Sequence, residues 1–263
     1  MARKNDHLEL VNNKKRKPGW KKLLNMFIKL VVLVGLIILL KYGEAFFRVS
    51  DITVEGAKDL TAQAVINSSG LEEGMSMILL NEKKIAERIM HDYPEIKEVK
   101  LERNLPDSLV LAVTERTLAA YLMSADGYWM IDRDAVCFAF TGKITGGFPV
   151  ITGISDTLLI PGEPLECPFR RETLSNLFAN WPGPELLDIE TMDFSDRYNL
   201  VINTADGWQI WLGDGKNMDT KLLLVSESIP YIDRDALVRL DVRSGKRLVA
   251  SGSTMISDKE VEP

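Results

Sequence analysis

The sequence predicts an α+β protein: an N-terminal transmembrane helix, a β-α-α-β-β unit, and a mixed, mostly antiparallel β domain with flanking helices. Three observations lead there. From Leu23 to Leu40 the only polar residues are Asn25 and Lys29, and about 20 mostly apolar residues cross a hydrocarbon core roughly 30 Å thick. From Phe47 to Arg116 the apolar period alternates between strand and helix values in the order strand, helix, helix, strand, strand. From Thr117 to Ala250 short alternating segments, broken by Asp-Gly and Ser-Gly turns, outnumber helical ones.

The span is expected over residues 23–43. Lys29 can snorkel to the headgroups, and Trp20, Tyr42, Phe46 and Phe47 mark the two interfaces. A cleaved signal peptide has a shorter apolar region and a small-residue cleavage site, whereas bulky Lys41-Tyr42-Gly43-Glu44-Ala45-Phe46-Phe47 follows here. A globular core helix is disfavoured because the run is apolar all round. Residues 1–22 carry eight Lys or Arg against Asp6 and Glu9, a charge of +6. The whole chain is −6, which leaves −12 for residues 23–263. The basic tail therefore stays cytoplasmic and the acidic bulk lies outside, which argues against nucleic acid as its partner. Outside the membrane Cys137 and Cys167 can pair, or can remain two buried thiols.

In the first outer unit, residues 46–116, Ile52 and Val54 alternate with Asp51, Thr53 and Glu55 in a strand that Gly56 stops. Thr61 caps a short helix that ends at Gly70. Asn81 caps a second, Glu82–His91, with Ile85, Ala86, Ile89 and Met90 inward, and Tyr93-Pro94 ends it. Two strands follow, with Val99 and Leu101, then Leu109, Leu111 and Val113, facing the core; Asn104–Asp107 is the turn between them.

In the second outer unit, residues 117–250, three strands fill Ala119–Phe140 and Phe148–Gly153 is extended. A helix with Leu174, Leu177 and Phe178 inward ends at Pro182. Strands follow at 189–196, in the Asn199–Asp214 hairpin, and around Ser244-Gly245, with a helix at Asp219–Pro230 between. Residues 251–263 read as a disordered polar tail.

Catalytic and metal chemistry finds little support. His7 and His91 are the only histidines; a Ser-His-Asp triad would have to use His91 at a helix end. Gly213–Lys216 lacks the full phosphate-loop spacing. Asp126, Asp132 and Asp134 lack calcium-loop spacing and fit hairpin turns. No cofactor or metal is expected. Binding remains. In Trp208–Leu212 the period of two sends Trp211 to the face opposite Trp208, Ile210 and Leu212. The favoured reading covers it with the 218–229 helix; the alternative exposes it as an interface anchor. The pieces Leu237–Val242 and Arg247–Ala250 suggest a sheet edge open to a partner strand, with Lys246 and Arg247 read either as part of that site or as charges that blunt the edge.

An ordered set of motifs carries a resemblance. Phe47, Val49, Ile52, Val54, Gly56, Pro94, Arg103, Leu105, Pro106, Leu109, Val113, Glu115 and Arg116, beside a membrane span, resemble the POTRA domain of the FtsQ/DivIB cell-division family. Tyr128, Ile131 and Asp132, then Phe148–Gly153, Leu212, Gly213 and Lys221, and finally Leu240, Asp241 and Arg243 continue it. The chain departs from the family at Thr117–Ala120 and at Ala135, where glycine is common.

The resemblance implies a non-catalytic division protein of the bacterial inner membrane, placed at the septum. It implies partners of the FtsL and FtsB/DivIC types and, through them, support of the septal peptidoglycan synthase. The expected docking residues are Arg243, Arg247, Leu248, Val249, Ala250 and Trp211. Arg243 matches the family arginine that helps bind the partner, and Val249→Pro is the substitution expected to remove a ladder donor. The rival readings are a POTRA-bearing assembly or translocation factor, and a membrane-tethered wall hydrolase.

Overall fold

The computed structural model describes residues 19–154, 159–183, 186–196, 198–232 and 238–252, with side chains of the first helix described as far as Ile38. The basic residues Arg3–Lys17, His7, Leu237 and the predicted tail beyond Gly252 lie outside the described residues. By their contacts the residues form two units. One holds the first helix, the chain from it to Asp51, and the loops Glu72–Leu80 and Arg103–Ser108. The other holds Ile52–Leu71, Asn81–Glu102 and the chain from Leu109 onward.

Helix α1, Trp20–Phe46, occupies the predicted apolar run, and its described side chains are all exposed. Among the described residues no helix is long and apolar enough to cross a membrane. The run read from the sequence continues to Leu40, two residues past the last described side chain.

The predicted strand–helix–helix–strand–strand order is present as β1 (Asp51–Glu55), α2 (Ala62–Ser69), α3 (Glu82–Asp92), β2 (Ile96–Asn104) and β3 (Ser108–Glu115), with β3 between β1 and β2 in the sheet. Both caps form as expected. The Thr61 hydroxyl accepts from the Ala64 N–H at 3.3 Å, and the Asn81 side-chain oxygen from the Lys84 N–H at 3.2 Å. Ile85 and Ile89 are buried with Leu109, Leu111 and Val113. Gly56 is required: its φ is +85°, and a Cβ there would stand 2.2 Å from the Val113 carbonyl oxygen.

At the end of β3 the dipeptide Glu115-Arg116 looks two ways. The Glu115 carboxylate accepts from the backbone N–H groups of Lys58, Asp59 and Leu60, at 2.8, 3.1 and 3.4 Å. Partial burial pushes its pKa up, but these hydrogen bonds outweigh it and leave the carboxyl below its ordinary value. A depressed carboxylate pKa adds stability above the unfolded value, which is lost as pH falls through the folded one. Acidification below about pH 4 is thus expected to speed hydrogen exchange at Lys58–Leu60, and Glu115→Gln to flatten that pH dependence. Equal exchange in both chains across the acid limb would show that the carboxylate does not hold this loop.

Arg116 reaches the other way. Its N–H donates to the Glu95 carbonyl at 2.7 Å, its Nε to the Pro94 carbonyl at 3.1 Å, and its Nη1 to Asp132 Oδ2 at 2.6 Å. The other Asp132 oxygen accepts from the N–H groups of Asp134 and Val136, each at 2.9 Å. Asp134 pairs with Lys97. The aspartates of this turn thus have structural partners. Ala135 adopts φ +59° where the resembled family commonly has glycine. The left-handed strain of about 1–2 kcal/mol is offset in part because its methyl is wholly buried.

The strands after Arg116 form one nine-stranded sheet among the described residues, taking β4 (Ala120–Met123), β5 (Tyr128–Ile131), β6 (Cys137–Thr141), β7 (Val150–Thr152), β8 (Ile189–Asp193), β9 (Leu200–Thr204), β10 (Gln209–Gly213), β11 (Arg239–Asp241) and β12 (Val249–Ser251). Its order is β12-β11-β10-β9-β8-β7-β4-β5-β6. Pairs β4–β7, β7–β8 and β10–β11 are parallel and the others antiparallel. Helices α4 (Pro168–Asn180) and α5 (Met218–Ser228) bury Leu174, Leu177, Met218, Leu222 and Val225 in one core with Leu122, Ile151, Ile202, Trp208, Ile210 and Leu212. The cysteines are not paired. Burial, helped by the Asp132 charge, pushes the Cys137 thiol up to about 12, so it behaves as a core residue.

Candidate functional site

The C-terminal strand β12 is the outermost strand at one end of the sheet. It pairs antiparallel with β11, matching Arg239 with Ser251, Leu240 with Ala250 and Asp241 with Val249. The direction of each backbone group follows from β11. The Val238 carbonyl accepts from the Gln209 N–H, and the Val242 N–H donates to the Trp211 carbonyl. Val238, Leu240 and Val242 therefore aim their backbone at β10, and Arg239 and Asp241 aim theirs at β12. Val249 and Ser251 close that ladder, so the N–H and C=O of Ala250 point outward. The Val249 N–H is a ladder donor, but toward β11 rather than outward, so a proline at 249 would break the hairpin itself.

The side chains of the edge also divide. Leu248 and Ala250 pack against the helix-covered core. Val249, 51% exposed, and Ser251 stand on the other face. Beside Leu248 and Ala250 runs a shallow groove lined by Pro230, Tyr231 and Ile232. The turn before β12 is fixed by a Gly245 N–H to Val242 carbonyl bond of 2.9 Å and by the Ser244 hydroxyl, which donates to the Arg247 carbonyl at 3.3 Å. Arg247 itself is exposed.

Trp211 is not covered by α5, contrary to the favoured expectation. The helix packs on the Trp208, Ile210 and Leu212 face, so Trp211 lies on the opposite face. There the guanidinium groups of Arg239 and Arg243 stand 4.6 and 4.8 Å from its ring centroid. Two cations on one indole account for its half-burial. Arg243 also grips Asp241: its Nε donates to both carboxylate oxygens at 3.0 Å, and its Nη2 donates to one of them. That hydrogen bonding is the main reason the Asp241 carboxyl lies below, and the Arg243 group above, its ordinary pKa. The expected partner-binding arginine is thus already paired, and a partner carboxylate would have to share it with Asp241.

Beneath the turn lies a group the sequence reading did not single out as buried. Lys221 is almost wholly buried, its ammonium donating to the Leu212 carbonyl at 2.6 Å with Asp214 Oδ1 at 3.5 Å. A Cβ on Gly245 would stand 3.9 Å from its Cε, so the lysine stem lies close beneath the β11–β12 turn. A lysine one turn into a helix, facing the apolar stripe, is the signal that was there to find.

The enzymatic readings gain no site. His91 is 89% exposed at its side chain and meets Asp92 at 3.3 Å. The Ser68 hydroxyl donates to the same carboxylate at 2.6 Å. The carboxylate therefore stands between serine and imidazole, the reverse of the triad order in which the imidazole meets the hydroxyl. Asp126 is exposed in the β4–β5 turn. Among the described residues no group of three or more His, Cys, Asp or Glu is placed to hold a metal.

Comparison with known proteins agrees with this architecture. Residues 47–116 match the family model described as POTRA domain, FtsQ-type. The chain is 33% identical over 101 residues to the cell division protein DivIB of Clostridium acetobutylicum, covering 38% of this chain and 40% of that one. It is 29% identical to the cell division protein FtsQ of Streptomyces collinus, covering 46% and 49%. It is 23% identical to the cell division protein FtsQ of Corynebacterium glutamicum, covering 74% and 85%. The matched stretch thus spans less than half the length of the first two of these relatives.

Proposed function

We propose that the chain, similar to FtsQ and DivIB cell division proteins, is a non-enzymatic division scaffold. In this reading α1 anchors it in the membrane and its acidic outer region docks FtsL-type and FtsB/DivIC-type partners at the septum, supporting the peptidoglycan synthase through them. The observation that carries the docking is the open outer edge of β12, with the Ala250 N–H and C=O unpaired among the described residues. A partner strand added there gains ladder hydrogen bonds, and its alternate side chains lie toward the groove beside Leu248 on one face and toward Val249 and Ser251 on the other. The apolar run to Leu40 and the +6 tail support the anchor and its orientation. Protease that leaves the outer region intact in spheroplasts would remove this membrane part of the reading.

Ala250→Pro tests the edge. Proline deletes the outward donor and places a ring in the path of an added strand, while the β11 ladder keeps both of its paired residues. The full chain in nanodiscs is expected to keep its melting temperature and to lose at least about tenfold in affinity for an FtsB/DivIC-type partner, the equivalent of about 1.4 kcal/mol. Unchanged affinity with unchanged melting would sink docking by strand addition.

A further inference from the structure

We propose that the loop tip Ile78-Leu79, together with Leu105, is a second membrane contact beside α1. The inference rests on the reading of α1 as a membrane anchor. Ile78, Leu79 and Leu105 are 65, 80 and 67% exposed, and outside α1 they are among the most exposed large apolar side chains described. All three belong to the same compact unit as α1.

The register sets their level. The chain leaving α1 pairs antiparallel with this loop: the Val49 N–H donates to the Met75 carbonyl, Arg48 bridges Ser76, and the Met77 N–H donates to the Phe47 carbonyl. Each step back along 49, 48, 47 is a step forward along 75, 76, 77. The next residues, Ile78 and Leu79, leave the pairing on its α1 side, in a turn closed by the Leu79 N–H to Ser76 carbonyl bond of 3.2 Å. Glu72 and Glu73 lie on the other side of the pairing, in the turn closed by the Met75 N–H to Glu72 carbonyl bond. Apolar residues thus sit at the membrane end of the loop and carboxylates away from it. Arg48, exposed beside Ser76, adds a cation at headgroup level.

The tip is held rather than loose. Arg103 donates from Nε to the Met77 carbonyl and from Nη2 to the Leu80 carbonyl, each at 3.2 Å. These bonds bracket Ile78 and Leu79 and fix both side chains outward. Arg103 also carries the turn that presents Leu105, so one guanidinium organises the whole apolar tip. Three side chains are far too small a patch for a stable protein interface of about 800 Å² per partner. They suffice for shallow insertion where a helix already holds the chain at the bilayer.

The test uses the full chain in nanodiscs of phosphatidylcholine and phosphatidylglycerol, with lipids brominated near the headgroup end of the acyl chain as contact quenchers. Leu79→Trp and Glu73→Trp are compared with the parent chain. Native Trp20 at the start of α1 reports the anchor, its share of the signal being read from Trp20→Phe. The expected result is that brominated lipid removes half or more of the emission added by Leu79→Trp and none of that added by Glu73→Trp. Quenching of Trp20 without quenching of Leu79→Trp overturns the second contact and leaves the anchor standing. Quenching of neither overturns both. A Leu79→Trp signal untouched by lipid, and shielded from aqueous acrylamide only when an FtsB/DivIC-type partner is added, overturns the proposal in favour of a protein docking surface.

Discussion

Replacing Asp132 by alanine is expected to lower the unfolding free energy by about 3–5 kcal/mol, the range for breaking one partner of a buried ion pair. The side chains of Arg116 and Asp132 are 10 and 4% exposed, so neither has water to fall back on. Without the carboxylate the guanidinium keeps its charge and loses its 2.6 Å partner. The N–H groups of Asp134 and Val136 lose their shared acceptor as well, and the buried one, on Val136, costs about 1–3 kcal/mol when orphaned. Denaturant unfolding of the full chain in detergent measures the loss. Asp132→Asn should cost less, because its amide oxygen still accepts from the two backbone donors. Arg116→Met with Asp132→Asn should recover part of the alanine loss by removing the stranded charge. If Asp132→Ala falls within 0.5 kcal/mol of wild type, the level of ordinary surface changes, the joint carries no stability.

Lys221→Ala is expected to cost about 2–4 kcal/mol, from the cavity left by a long side chain and from the Leu212 carbonyl left without its 2.6 Å donor. Its damage should concentrate in the β11–β12 turn, read as faster hydrogen exchange at Gly245 and Val249 than at core amides such as Leu122. Lys221→Met refills the cavity and isolates the charge. Burial pushes the Lys221 pKa below its usual 10.5, opposed by the nearby Asp214 carboxylate. The folded chain thus releases this proton at lower pH than the unfolded chain, so this lysine's contribution to stability rises with pH between the lowered value and 10.5. Wild type minus Lys221→Met should show that rise in alkaline solution. A flat difference would mean that the ammonium is equally solvated in both states.

The parts legible in the sequence were those set by local chemistry. Thr61 and Asn81 cap helices because their side chains are the nearest acceptors for free N–H groups, and Asp-Gly pairs turn hairpins because of their own backbone preferences. The alternation through Trp208–Leu212 divided its residues correctly between two faces. It did not say which element covers which face, and so Trp211 was assigned to the wrong neighbour; that depends on where Arg239 and Arg243 arrive from more than 25 residues away in sequence. The outward direction of Ala250 was hidden for the same reason, since it is inherited from the parallel register between β10 and β11. Glu115 and Arg116 stood out as a motif, but their carboxylate and guanidinium meet backbone groups that no spacing rule connects.

Seven strand spacings separate β12 from β5, the strand that leads into Asp132. At about 4.8 Å each they amount to roughly 34 Å, and at some 20–25° of twist per step the two strands are turned nearly end for end. The outer edge and the Arg116–Asp132 ion pair therefore lie toward opposite ends of one sheet, facing away from each other, so an occupant can load the edge without touching the pair.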